Sequence, residues 1–134
     1  KVKDTAGALD DYTKVIVLSP EKADAYIKRG NIQVTLKEYN SAIADFSKAI
    51  EIKSDDAIVF YKRGIAKTKL EDYKGAITDY TESIMLDSTY TYGYSERGIA
   101  REIMEDFEGA CEDWRKAASM GHYASAQWVK DSCN

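Results

Sequence analysis

The chain has 134 residues, 44% hydrophobic and 31% charged, with a formal net charge of −4. That suits one modest domain or a short array, and it lacks the basic stripe that nucleic-acid binding needs to displace counterions. No apolar run approaches the ~20 residues of a membrane span, and no signal-peptide pattern is present.

There is one proline, strand-like alternation is missing, and 3.6-period segments dominate, so an all-helical chain is expected. The first helix is expected over residues 3–18 and ends before Pro20, which cannot continue the hydrogen-bond ladder. Its Ala8, Tyr12 and Val15 precede Ala42, Phe46 and Ala49 by one period. Residues 1–22 are therefore expected to be the second half of a repeat whose first helix lies outside the chain. Three full repeats are expected over 23–56, 57–90 and 91–122, with a capping helix over 123–134. Their helix pairs are expected near 23–36 and 40–53, 57–70 and 74–87, and 91–104 and 108–120. The inner turns have one make-up: Lys37-Glu38-Tyr39, Glu71-Asp72-Tyr73 and Glu105-Asp106-Phe107. Their aromatic residues are expected to pack where the paired helices meet. The cap carries Tyr123, Ala126, Trp128 and Val129 toward the array and Gln127, Lys130 and Asp131 outward.

Three sets of residues recur every 34 positions: Gly30, Gly64 and Gly98; Ala42, Ala76 and Ala110; Phe46, Tyr80 and Trp114. A fixed period of this size is the mark of a stacked repeat array. Glycine inside a helix costs ~1 kcal/mol relative to alanine, so three of them need a structural reason. The expected reason is a small-on-small contact of each glycine with the alanine of its partner helix. Arg29, Arg63 and Arg97 share the period with Asp11, Asp45, Asp79 and Asp113. A ladder of arginine–aspartate pairs within and between repeats is therefore expected.

The pattern Tyr26-x-x-Arg29-Gly30-x-x-Gln33, then Ala42-x-x-x-Phe46 and Ala49, resembles the tetratricopeptide repeat, with two further in-phase copies. Arg29, Arg63 and Arg97 replace the family's usual Leu, and Gln33, Lys67 and Arg101 its second Tyr. Ser54, Ser88 and His122 stand where Pro is usual. The resemblance implies an all-α, right-handed superhelical array of antiparallel helix pairs. The first helix of each pair would line a concave groove for a peptide or helix of a partner protein. Some family members clamp a C-terminal carboxylate there with Lys, Asn and Arg. Asn31 matches that set, but Ile27, Tyr92 and Glu96 stand at the cationic positions, which disfavours a chaperone tail.

A second stripe on each first helix is the expected binding surface. It comprises Ile27, Asn31 and Val34; Ile58, Tyr61, Ile65 and Lys69; and Tyr92, Ser95, Ile99 and Ile103. The competing reading is that these residues only pack neighbouring helices. No nucleophile elbow, phosphate-cradling glycine loop or metal-ligand cluster is present, so a non-catalytic module without a cofactor is expected. His122 reads as a turn or cap residue, and Cys111, aligned with Ile43 and Ile77, as a buried small hydrophobe. Cys111 and Cys133 have two readings: a disulfide stapling the cap, which argues for export, or free thiols, which argue for the cytosol. The alternative function is a structural or self-assembly segment. It would associate through an open N-terminal end that leaves Val15, Val17 and Leu18 exposed.

Overall fold

A computed structural model describes residues 2–134. Lys1, at the start of the expected 1–22 half repeat, lies outside the described residues, as do the side chains of Val2 and Lys3. Among the described residues there are eight helices and no strand. They are α1 (Val2–Leu18), α2 (Ala23–Thr35), α3 (Tyr39–Ile52), α4 (Ala57–Lys69), α5 (Tyr73–Leu86), α6 (Thr91–Ile103), α7 (Phe107–Ser119) and α8 (Tyr123–Ser132). Each boundary falls within a residue or so of the expectation.

Helices α2/α3, α4/α5 and α6/α7 form the tightest pairs, and each second helix packs on the first helix of the next pair. First helices also touch across repeats, α2 to α4 and α4 to α6. This places α2, α4 and α6 side by side on one face, the concave one.

The inner turns are set by backbone chemistry. Lys37, Glu71 and Glu105 take φ of 61°, 61° and 65°. Behind them the Glu38 amide donates to the Gln33 carbonyl (2.8 Å) and the Lys37 amide to Val34 (2.9 Å), the Schellman pairing that satisfies the carbonyls at a helix end. The pairing recurs as Asp72 to Lys67 and Asp106 to Arg101. Asp72 and Asp106 then cap α5 and α7 by accepting from the Gly75 and Gly109 amides, both at 3.0 Å. His122 caps α8, its Nδ1 accepting from the Ser125 amide.

The core is built around the rings of Phe46, Tyr80 and Trp114, each 3% exposed or less. Burying such a ring contributes about 1.5–3 kcal/mol. Here the structure adds the nearest neighbour of each glycine, an aromatic ring. A Cβ added at Gly30 would stand 2.7 Å from Phe46 Cε1, at Gly64 2.6 Å from Tyr80 Cε1, and at Gly98 2.6 Å from Trp114 Cδ1. The glycines therefore make room for the ring of their own repeat. Ala42, Ala76 and Ala110 are buried, at 1% exposure or less.

The arginine ladder is present, with a different inter-repeat partner. Arg29, Arg63 and Arg97 each make a two-pronged pair with Asp45, Asp79 and Asp113 of the same repeat, at 2.7–2.8 Å. Toward the preceding repeat each Nη1 donates to a hydroxyl, not to an aspartate: Thr13 (3.3 Å), Ser47 (3.1 Å) and Thr81 (3.1 Å). Asp11 lies exposed on α1 instead. A second cation joins two of the three aspartates, Lys67 on Asp79 at 3.0 Å and Arg101 on Asp113 at 2.9 Å. Gln33 holds the matching position in the first repeat. It is buried, and its Oε1 has no hydrogen-bond partner.

Three expected packing residues differ, the first being Tyr123 of the cap, which is 83% exposed rather than turned toward the array. Phe107 is 61% exposed at the start of α7, while Tyr39 and Tyr73 are half-buried. Cys111 is half-buried rather than core, because it faces the cap: its Sγ lies 2.01 Å from that of Cys133, a disulfide joining α7 to the end of α8. On α8, Gln127, Lys130 and Asp131 are exposed, and Trp128 lies 5.4 Å from the Trp114 ring.

Candidate functional site

The concave face is built by α2, α4 and α6, whose outer stripes have no covering helix. Between α2 and α4 lies an open cavity of about 380 Å³ lined by Asn31, Val34, Phe46, Tyr61, Lys62 and Ile65. Its walls are mostly apolar. Its polar feature is the Lys62 ammonium, which donates to Asn31 Oδ1 at 2.8 Å. Burial lowers the Lys62 pKa, against an opposing pull from Asp56.

Most residues of the expected stripe lie on this face. Ile27, Asn31, Val34, Tyr61, Ile65 and Ile99 are half-buried, and Lys69 is exposed. Ile58, Tyr92 and Ile103 are 47%, 54% and 47% exposed. Ser95 is the exception. It is 1% exposed, its Oγ donates to the Tyr92 carbonyl, and its own carbonyl accepts from Trp114 Nε1 at 3.3 Å. It points into the helix pair and is removed from the surface open to a partner. The stripe on α6 steps from Tyr92 to Glu96, four residues on, rather than to Ser95. On α4 the same step runs from Ile58 to Lys62.

Two further residues belong to the site and escaped the apolar pattern. Tyr90, just before α6, sets its ring 5.0 Å edge-on from Tyr61 and 6.0 Å from Tyr92. Tyr61 in turn lies 6.5 Å from Tyr92 and 5.9 Å from Tyr80. Tyr92 continues the row to His122 at 5.8 Å, and His122 to Trp128 at 6.0 Å. Rings run without a break from the middle of the array to its cap. Burial pushes the hydroxyl pKa of Tyr61 and Tyr90 upward, so both stay neutral hydrogen-bonding groups. Glu96, expected only as an acidic residue at a clamp position and left out of the stripe, is the second. Its carboxyl pKa is raised by burial, with His122 and Lys69 pulling the other way. The signal for both was the four-residue helical step and the tyrosine density of 90–94.

Among the described residues no cluster of potential metal ligands occurs, and no helix is long and apolar enough to cross a membrane. The site offers shape, ring faces and a few charges. It can hold a chain segment, and the Ser125 hydroxyl that lies 2.7 Å from His122 Nδ1 is fully buried.

A family model described as a TPR repeat matches residues 30–70. None of the curated proteins compared matches the chain significantly. Among solved structures, a crystal structure of MamA superposes with a TM-score of 0.92 at 23% identity, over 97% of this chain and 72% of that one. The Sgt2 TPR domain from Aspergillus fumigatus gives 0.76 at 25% identity, covering 82% and 76%. The first TPR of Spaghetti (RPAP3), solved with the HSP90 peptide SRMEEVD, gives 0.78 at 22% identity, covering 82% and 89%. The matched repeat, its two in-phase copies and the shared fold make the chain similar to tetratricopeptide-repeat proteins.

Proposed function

We propose that the chain is a non-catalytic binding module whose concave face holds an extended or helical segment of a partner protein. The observation that carries this reading is the open, mostly apolar cavity between α2 and α4, flanked by the exposed Ile58 and Tyr92. Aromatic anchors of this kind tend to dominate binding energy, and a helix-lined groove is a common peptide receptor. The RPAP3 domain, of the same fold, is bound to a peptide, which supports the class of function. Ile27, Asn31, Val34, Ile58, Tyr61, Ile65, Lys69, Tyr92, Ile99 and Ile103 are the proposed contact surface.

The test replaces exposed groove residues. Ile58→Ser with Tyr92→Ser removes two anchors that contribute little to the core. Peptides selected from a random library by the wild-type chain should bind this variant at least tenfold more weakly, with the helical circular-dichroism signal unchanged. Undiminished binding would refute the groove.

A second reading, self-association, rests on the free face of α1. Val17 and Leu18 are 75% and 83% exposed and border a shallow depression with Thr13 and Lys14. Sedimentation of the wild type against Val17→Ser/Leu18→Ser tests it. A concentration-dependent dimer lost in the variant supports association through this face, and a monomer at all concentrations rejects it.

A further inference from the structure

The concave face carries a half-buried carboxylate that has no ion-pair partner among the described residues. Glu96 lies one turn beyond Tyr92 on α6 and is half-buried. Among the described residues the carboxylates in ion pairs are Asp10, Asp45, Glu51, Asp79, Asp106 and Asp113; Glu96 has none. Lys69 on α4 and His122 at the start of α8 feel its charge without bonding to it. The Nδ1 of His122 is held 2.7 Å from Ser125 Oγ. The equivalent position one repeat earlier, Lys62, has its partner in Asn31. A half-desolvated carboxylate with no partner is unfavourable, and such groups tend to persist where a ligand completes them.

The surroundings of Glu96 favour one kind of ligand. Tyr61, Tyr90 and Tyr92 stand within 5.0–6.5 Å of one another. Ring faces carry negative potential and attract cations, and here they adjoin a carboxylate. We propose that Tyr61, Tyr90, Tyr92 and Glu96 form a subsite for a cationic side chain of the bound peptide. Arginine suits it better than lysine, because a planar guanidinium can lie on a ring and still pair with a carboxylate. An acidic peptide terminus would meet repulsion at the same place. The inference rests on the concave face being a peptide groove, and it adds the charge of the occupant.

The test uses the intact chain and a random dodecapeptide library displayed on phage. Selected peptides should share an arginine or lysine at one fixed position. Glu96→Gln, which keeps the size of the side chain, should bind them about tenfold more weakly. Replacing the peptide arginine by citrulline should lose a similar factor on the wild type and little on Glu96→Gln, the mark of a direct pair. Peptides released by Ile58→Ser but lacking a fixed cation, or bound equally by Glu96→Gln, would overturn the cation subsite and leave the groove standing. Peptides that Ile58→Ser does not release would overturn the groove and the subsite with it.

Discussion

Gly64→Ala tests the physical reason for the repeated glycine. On propensity alone the change should stabilise α4 by ~1 kcal/mol, since glycine is the poorer helix former. The packing opposes it. The new Cβ would sit 2.6 Å from Tyr80 Cε1, 2.9 Å from Cδ1 and 3.2 Å from Cζ. Carbon atoms in contact prefer about 3.5–4.0 Å, so the overlap approaches one ångström. Tyr80 has little freedom to yield: it is 0% exposed and its hydroxyl lies 2.9 Å from Thr68 Oγ1. Overpacking of this kind costs ~1–3 kcal/mol. With the propensity gain subtracted, a net loss of about 0–2 kcal/mol is expected, or a fall in Tm of up to about 8 °C. Gly7→Ala is the control. Gly7 is also helical, and nothing lies within 4 Å of its added Cβ, so the same substitution should be neutral to stabilising. Urea denaturation followed by circular dichroism reads both. Equal stabilisation by the two changes would refute the ring-on-glycine account.

The other predictions concern charge and cross-linking. Arg29→Ala should destabilise more than Arg63→Ala, because Lys67 still neutralises Asp79 at 3.0 Å while the first repeat has Gln33 in that place. An uncompensated buried carboxylate costs ~3–5 kcal/mol, and comparative denaturation of the two variants checks the order. Cys133→Ser should cost about 3 kcal/mol of stability, the loop entropy expected for a sequence separation of 22 residues, and a melt with and without reductant measures it. Glu96→Gln should stabilise the free chain at neutral pH. The sign follows from burial raising the folded pKa: the unfolded state ionises first as pH rises, so ionisation of Glu96 works against folding above the unfolded value. The gain should vanish below about pH 4, where both states are protonated, and paired melts across that range test it.

The architecture was legible because the repeat is written three times. Helical periodicity, Pro20 and the recurrent turns located all eight helices to within a residue or so. What the period could not give was the partner of each repeated residue. At Gly30 the nearest neighbour is the ring of Phe46, which the shared period of Gly30 and Ala42 did not point to. The arginine ladder was readable within a repeat. Its link to the preceding repeat runs through Thr13, Ser47 and Thr81, whose own spacing of 34 was present but lacked the charge that draws attention. On the concave face, steps of three and four residues both fit a 3.6-residue turn. Choosing three placed Ser95 in the groove; the structure buries it and presents Glu96. Lys62 was left out of the stripe, and Glu96 was named only as an acidic residue at a clamp position.

The central claim is that α2, α4 and α6 form a peptide-binding face. Amide chemical-shift mapping of the intact chain, titrated with a library-selected peptide, tests it most directly. The largest shifts should fall on Asn31, Val34, Tyr61, Ile65, Tyr92 and Glu96, with α3, α5 and α7 changing little. Shifts concentrated on those outer helices, or around Val17 and Leu18, would contradict it.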